Sequence, residues 1–323
     1  MQRVLVAEPI APEGVQELRS YPAVEVVERY GLAADDLRRA VASCAALLVR
    51  SQTAVNRGVI ESGTELRVIG RAGAGVDNID VPAATERGVL VMNTPGANAQ
   101  AAAELTVGLM FAVARRIAAA DASVKDGRWE RSRFRGTQLL GKTLGIVGIG
   151  NVGRLVARSA VALGMHVIAH DPYVTQERAA EHGVVLVAFE TLLQEADYIS
   201  VHTPLTAGSR GLIGAAEIGR MKRGVYLINC SRGGVIDEAA LLAGLEQGRV
   251  AAAALDVYSR EPPRDLSVAR HPRVVATPHI GALSLEAQLN VAIMIANQIG
   301  RFLTAGEVDS AVNPEAVRAR PTG

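Results

Sequence analysis

The chain has little charge imbalance, no long apolar run and almost no cysteine. Its 323 residues carry 34 Lys and Arg against 33 Asp and Glu, a formal net charge of +1, so no bulk attraction draws it to nucleic acid or to an anionic membrane. A polyanion-binding role would need a local patch. The longest apolar run, "LTVGLMFAVA" at 105 to 114, lies between Glu104 and Arg115-Arg116 and falls short of the roughly 20 residues that a membrane span requires. The N-terminal "MQRVLVAEPIAPEG" meets an acid and prolines too early for the core of a signal peptide. Cys44 and Cys230 are the only cysteines, and no Cys or His stands at metal-ligand spacing. Buried reduced thiols, a cytoplasmic compartment and no metal are the expectations. Lysine is limited to Lys125, Lys142 and Lys222, a scarcity with no functional reading. Neither a solenoid repeat nor a low-complexity linker is present.

Short β-branched runs alternate with helical segments along most of the chain. "RVLVA" (3 to 7), "AALLV" (45 to 49), "RVIG" (67 to 70) and "GVLVMN" (88 to 93) come first. "TLGIVG" (143 to 148), "HVIAH" (166 to 170), "YISVH" (198 to 202), "GVYLIN" (224 to 229), "AAAALDV" (251 to 257) and "RVVAT" (273 to 277) follow. Apolar strands separated by helices indicate α/β architecture with parallel sheets. Two long helices break the rhythm. One, over 98 to 120, is apolar on most faces and is expected to be buried on several sides. The other, over 284 to 306, starts after a Ser and ends at Gly306, a cap at each end. If both helices bridge two lobes, the first domain comprises 1–95 and 284–323, and a second domain, 96–283, is inserted into it.

Within the inserted domain, "TLGIVGIGNVGRLVARSAVALGMHVIAHDP" places Gly148, Gly150 and Gly153 in G-x-G-x-x-G spacing, after a strand and at the start of a helix. Each glycine has a task there: Gly148 the tight turn, Gly150 close approach of a pyrophosphate, Gly153 helix-on-sheet packing. The helix N-terminus offers free N–H groups and a positive dipole end to phosphates. The next strand ends at Asp171, where a carboxylate can accept the ribose hydroxyls and repels a 2′-phosphate. NAD is therefore favoured over NADP. Arg178 is the residue that would spoil this reading.

A nicotinamide carries hydride, so the protein must supply a proton donor and a clamp for substrate. Histidine suits proton transfer near neutral pH. Of His166, His170, His182, His202, His271 and His279, only His279 in "ATPHIGALS" follows a strand and leads into the second long helix, where a cleft between lobes is expected. Glu261 in "LDVYSREPP" lies in an irregular segment after a strand, from which a carboxylate reaches back to a histidine. Arg232 follows "VYLINCS" at a strand's C-terminal end, where open α/β sheets bind ligands. Its planar fork suits a carboxylate or a carbonyl oxygen gaining charge. Read singly, the three also fit a surface ion pair, a turn residue and a helix start.

Together these stretches resemble the D-isomer-specific 2-hydroxyacid dehydrogenases over essentially the whole chain, and most closely their D-3-phosphoglycerate dehydrogenase branch. The matching segments include "GRAGAGVDNID", "VMNTPGANAQAAAEL", "DGRWERSRFRGTQLLGKTLGIVGIGNVG", "VHTPLT", "INCSRGGVIDEAAL", "AAALDVYSREPP" and "TPHIGALS". The resemblance implies a Rossmann-type NAD-binding domain inserted in a smaller flavodoxin-like α/β substrate domain. It implies that Arg232 grips the substrate's carboxylate and keto oxygen, that His279 is the general acid in reduction and base in oxidation, and that Glu261 is its partner. For the cofactor it points to Asn151 and Val152, Asp171, Thr203, Cys230 and Asp256. For the substrate it points to Arg50, Ser51 and Asn98. The implied reaction oxidises 3-phospho-D-glycerate in serine synthesis; a glyoxylate or hydroxypyruvate reductase and an NADH-sensing corepressor are the alternatives.

The family often has Ser or Thr where this chain has Ala74, which removes a possible hydroxyl contact to cofactor. The tail "NPEAVRARPTG" stops without the regulatory extension of many relatives, and insensitivity to L-serine is the expectation. "GRWERSRFRG", 127 to 136, surrounds the only tryptophan, Trp129, with arginines. In the family the helix before it lies at a dimer interface, so a homodimer or dimer of dimers is expected. Arg131, Arg133 or Arg135, with the partner's Arg50, would then hold a substrate phosphate.

Overall fold

The structure, a computed structural model, describes residues 1–317. The chain forms two compact units, one of Met1–Asn98 with the chain from Ala282 onward, the other of Ala99–Gly281.

The first unit holds a five-stranded sheet of β1 (Gln2–Val6), β2 (Val24–Glu28), β3 (Ala46–Val49), β4 (Val68–Arg71) and β5 (Leu90–Met92). Every pairing is parallel and the order is β2-β1-β3-β4-β5. That order is flavodoxin-like, as the resemblance implies. The central strand β3 is buried at all four residues, which is why it reads as an unbroken apolar run. One face packs Val291, Ile295 and Ile299 of the helix Leu285–Ala305; the other packs Val59, Ile60 and Ala83. A Cβ on Gly70 would lie 2.5 Å from Ile299 Cδ1, so the glycine in β4 sets how closely that helix approaches. Both expected caps are present: Ser284 accepts from the Ala287 amide, and Gly306 ends the helix at φ 72.

The second unit holds β6 (Thr143–Val147), β7 (His166–His170), β8 (Val185–Leu186), β9 (Tyr198–Val201), β10 (Val225–Asn229), β11 (Val250–Leu255) and β12 (Val274–Ala276). Its seven parallel strands run β12-β11-β10-β9-β6-β7-β8. This is the Rossmann order with one further strand, and it reverses between β6 and β9. The strands β2 and β8, not anticipated from sequence, lie at sheet edges; an edge strand needs fewer apolar residues, and β2 reads "VEVVE".

The helix expected over 98–120 is two helices, Ala99–Arg115 and Ile117–Lys125, broken at Arg116 with φ 55. Tertiary contacts explain the break. Thr137 donates its amide to the Ala114 carbonyl, Arg116 Nη1 donates to the Arg133 carbonyl at 2.6 Å, and the Arg116 guanidinium lies over Phe134. The last turn's free carbonyl is thus taken by the following loop, and the chain turns.

Candidate active site

At the end of β6 the glycine motif divides its tasks as its spacing suggests. Gly148 has φ 91, and a Cβ there would press on the His202 carbonyl at 2.9 Å. Gly153 packs against the turn so closely that a Cβ would fall 2.2 Å from the Gly148 oxygen. A Cβ on Gly150, by contrast, would meet nothing within 4 Å. Gly150 precedes the helix Asn151–Ala162, whose first turn has no side-chain cap. The amides of Asn151 and Val152 are therefore left for an anion, at the positive end of a three-turn helix.

Asp171 follows β7 and fastens this turn. Its Oδ2 accepts from the Ile149 amide and its Oδ1 from the Tyr173 amide, both at 2.9 Å. Each oxygen keeps a lone pair for a ribose hydroxyl. Thr203 Oγ1 and His202 Nδ1 are sealed from solvent with no hydrogen-bond partner among the described residues, while His202 Nε2 lies 2.8 Å from Ser200 Oγ. Burial of the imidazole pulls its pKa down from the ordinary 6.5 to about 4, so His202 is neutral. An open glycine face, uncapped amides and an orphaned threonine hydroxyl suit a dinucleotide. Arg178, in the helix Gln176–Ala180, makes no hydrogen bond or ion pair with Asp171 among the described residues.

At the end of β10 buried Asn229 shapes the next loop. Its Oδ1 accepts from the Ser231 amide at 3.0 Å and the Ser231 hydroxyl at 2.8 Å, and its Nδ2 donates to the Arg232 carbonyl at 2.9 Å. Gly233 then runs so near the 258–259 backbone that a Cβ would lie 1.7 Å from the Tyr258 oxygen. Gly234 takes φ 80. The double glycine is what lets the Arg232 loop settle against the segment carrying Glu261.

Glu261 Oε1 accepts from the Tyr258 amide at 3.1 Å, and Oε2 lies 2.5 Å from His279 Nδ1. Burial pushes the Glu261 carboxyl up, but hydrogen bonds from His279 and the Tyr258 amide, with the charges of His279 and Arg232, hold it below its ordinary range. An ionised carboxylate only accepts, so the proton on His279 sits at Nδ1 and Nε2 is left to exchange one. His279 adopts φ 54, a left-handed conformation uncommon for residues other than glycine. Asp256 enforces it. This wholly buried carboxylate accepts from Thr277 Oγ1 (2.6 Å) and the Ile280 amide (2.8 Å) on Oδ1 and from the Gly281 amide (2.8 Å) on Oδ2, while its carbonyl takes the His279 amide at 2.8 Å.

Residues 107–281 match the family described as D-isomer specific 2-hydroxyacid dehydrogenase, NAD binding domain. The chain belongs to that family. The whole of the match lies within Ala99–Gly281, and NAD is the cofactor. The chain is 49% identical over 312 residues to the D-3-phosphoglycerate dehydrogenase of Archaeoglobus fulgidus, an alignment covering 96% of this chain and 59% of that protein. It spans 50–60% of the length of the curated relatives it matches. Among solved structures it is similar to an NAD+-bound 3-phosphoglycerate dehydrogenase of Entamoeba histolytica, with TM-score 0.81 and 31% identity over 97% of this chain and 98% of that one. A glyoxylate reductase from Paecilomyes thermophila gives TM-score 0.88 and 32% identity over 97% and 98%.

The other residues implied by the family likeness fall as follows. Cys230 is a free thiol that burial raises to about 12, so it stays protonated. Asp256, expected at the cofactor, has both oxygens engaged by 277–281. In the first unit Arg50 and Ser51 directly follow β3, and Asn98 is the last residue before the helix Ala99–Arg115. Arg131 and Arg133 lie on a 3-10 turn, Arg131–Phe134, with Arg135 after it. Arg133 Nη1 is taken by Glu130 at 3.2 Å, and Arg128 pairs with Asp126 and Glu130. Arg131 and Arg135 make no ion pair among the described residues.

Sequence reasoning did not assign Asn229 or the strapping role of Asp256. Asn-x-Ser at a strand end is an Asx-turn signal, and an acid closing the apolar run "AAAALD" needs partners once buried. Among the described residues no three His, Cys, Asp or Glu are grouped to hold a metal, and no helix is long and apolar enough to cross a membrane.

Proposed function

We propose that the protein is an NAD-dependent dehydrogenase interconverting a D-2-hydroxy acid and its 2-keto acid, with 3-phospho-D-glycerate and 3-phosphohydroxypyruvate as its substrate pair in L-serine biosynthesis. The observation that carries this reading is His279, with Nδ1 on ionised Glu261 and Nε2 open, on the same domain as Arg232 and the glycine turn. When bound, NAD supplies the hydride acceptor, and NADH the donor. His279 Nε2 gives the proton to the keto oxygen in reduction and takes it back in oxidation. Glu261 holds the tautomer and stabilises the imidazolium. Arg232 clamps the carboxylate and the oxygen that gains charge. Asp171 accepts from the ribose hydroxyls, Asn151 and Val152 donate amides to the pyrophosphate, and Thr203 and Cys230 line the cofactor site. The first unit is the substrate-binding domain and contributes Arg50, Ser51 and Asn98.

The protein works in the cytoplasm as a homodimer or dimer of dimers. Its two free cysteines support the compartment. Phe111, Ile117, Val124 and Trp129, exposed apolar residues of 99–129, support assembly through that segment. Arg131 and Arg135, with the partner's Arg50, hold the phosphate; Arg133, already paired with Glu130, is the weaker candidate. The likeness to a glyoxylate reductase favours one second reading, reduction of glyoxylate or hydroxypyruvate.

Turnover of NADH with 2-keto acids, with and without a phosphate, tests both. The expected result is a preference for phosphohydroxypyruvate that Arg131→Ala or Arg135→Ala lowers roughly ten- to a hundredfold in kcat/KM, the loss of one charge-assisted hydrogen bond. Equal losses on hydroxypyruvate would support the reductase.

A further inference from the structure

Resting on the reading of Arg50 and Ser51 as substrate contacts, we propose that Glu8 is a positioning residue, whose carboxylate gathers the amides of the 50–53 loop so that Ser51 and Arg50 meet the substrate in one fixed arrangement. In the first unit's sheet the strand order reverses between β1 and β3, and ligands of open parallel sheets bind beyond the strand ends at such a point. Two loops leave there, one after β1 and one after β3. Glu8 lies in the first with 6% of its surface exposed. So deep a carboxylate is costly unless its lone pairs are filled.

Three amides of the second loop fill them. Oε1 accepts from Arg50 at 2.9 Å and Thr53 at 2.8 Å, and Oε2 from Gln52 at 3.2 Å. The same loop is held from its other side, where Asn78 Nδ2 donates to the carbonyls of Arg50 at 2.9 Å and Thr53 at 2.7 Å. Only the Ser51 amide of this stretch has no partner among the described residues, and Ser51 is exposed. The Arg50 guanidinium donates to the Pro9 carbonyl at 3.4 Å.

Converging amides form a concavity that attracts anions. Glu8 fills it with the chain's own carboxylate, so the loop presents the Ser51 amide and the Arg50 side chain to the substrate, and not an anion-binding concavity.

Glu8→Gln keeps the shape but replaces one acceptor oxygen by an NH2 group, leaving at least one loop amide without its partner. The expected result is a KM for the 2-keto acid raised about tenfold, with kcat close to wild type and NADH affinity by fluorescence titration unchanged. Asp80→Ala is the comparison for a merely structural carboxylate of the same unit. Asp80 caps the helix Val81–Glu86 by accepting from the Ala83 amide, so its loss lowers Tm and leaves KM alone. If E8Q fails to fold, Asn78→Ala frees the same loop from its carbonyl side and should raise KM in the same way. A wild-type KM in folded E8Q, or in N78A, overturns the proposal. Absence of wild-type turnover with every 2-keto acid removes the underlying functional reading instead, and the role of Glu8 with it.

Discussion

Two parallel sheets of this chain reverse their strand order, and the two reversal points are furnished in opposite ways. In the NAD-binding domain, between β6 and β9, glycine keeps the backbone bare and the helix from Asn151 begins without a side-chain cap. In the first unit, between β1 and β3, a buried glutamate occupies the amides of the loop. Bare amides bind an incoming phosphate; occupied amides make a rigid frame that presents neighbouring side chains. The acidic side chains differ in where they act: Asp171 takes the Ile149 amide and leaves the amides of Asn151 and Val152 without a side-chain cap, whereas Glu8 takes three amides of its loop.

The largest expected effect separates chemistry from framing. His279→Ala should lower kcat by about 10² to 10⁴ fold, the usual contribution of a general acid–base group, and leave NADH affinity intact. Stopped-flow reduction of a keto acid measures it, and a near-normal kcat would remove His279 from proton transfer. Glu8→Gln should do the reverse, moving KM and sparing kcat.

A smaller effect probes what lies beneath the bare turn. The folded pKa of His202 is below its unfolded value, so the unfolded chain binds the extra proton between about 4 and 6.5. Stability is therefore full above pH 6.5 and lost as the pH falls toward 4. The shift corresponds to about 3 kcal/mol. Glu261, also held below its ordinary range, loses stability in the same direction. Urea unfolding of wild type and His202→Gln at neutral pH and near pH 4.5 isolates the histidine's share. Parallel pH profiles for the two proteins would show that the buried imidazole contributes nothing.

Gly150→Ala should act least on the protein and most selectively. The added methyl meets no atom within 4 Å, so Tm should stay at the wild-type value. It occupies the space a pyrophosphate needs, and NADH should bind roughly tenfold more weakly, a cost of about 1.4 kcal/mol. Unchanged NADH affinity would mean that the cofactor does not approach this face. A methyl at Gly153 would instead collide with the Gly148 carbonyl and disturb the turn itself.

Much of this was legible in one dimension. Among the described residues, ten of the twelve strands overlap apolar runs visible in the sequence, since residues buried on both faces of a parallel sheet leave no polar alternation. The two that escaped, β2 and β8, are edge strands. The glycine spacing named its own tasks because turn, approach and packing act over a few residues. Arg232, Glu261 and His279 were picked out by their places at strand ends, but no local pattern joins Glu261 to a histidine 18 residues later.

Sequence alone therefore determined the α/β class, the dinucleotide turn and the family likeness, all of which depend on short-range periodicity and spacing. Tertiary structure alone decided the carboxylate partnerships: Glu8 with amides 42 to 45 residues away, and Asp256 with the loop that bends His279 to φ 54. It also decided where the helix after Asn98 breaks, through the loop that reaches back to Ala114. A buried carboxylate must find donors, but which donors lie near is set by strand order. That order emerges only when the sheet closes and long-range pairing brings distant loops to one edge.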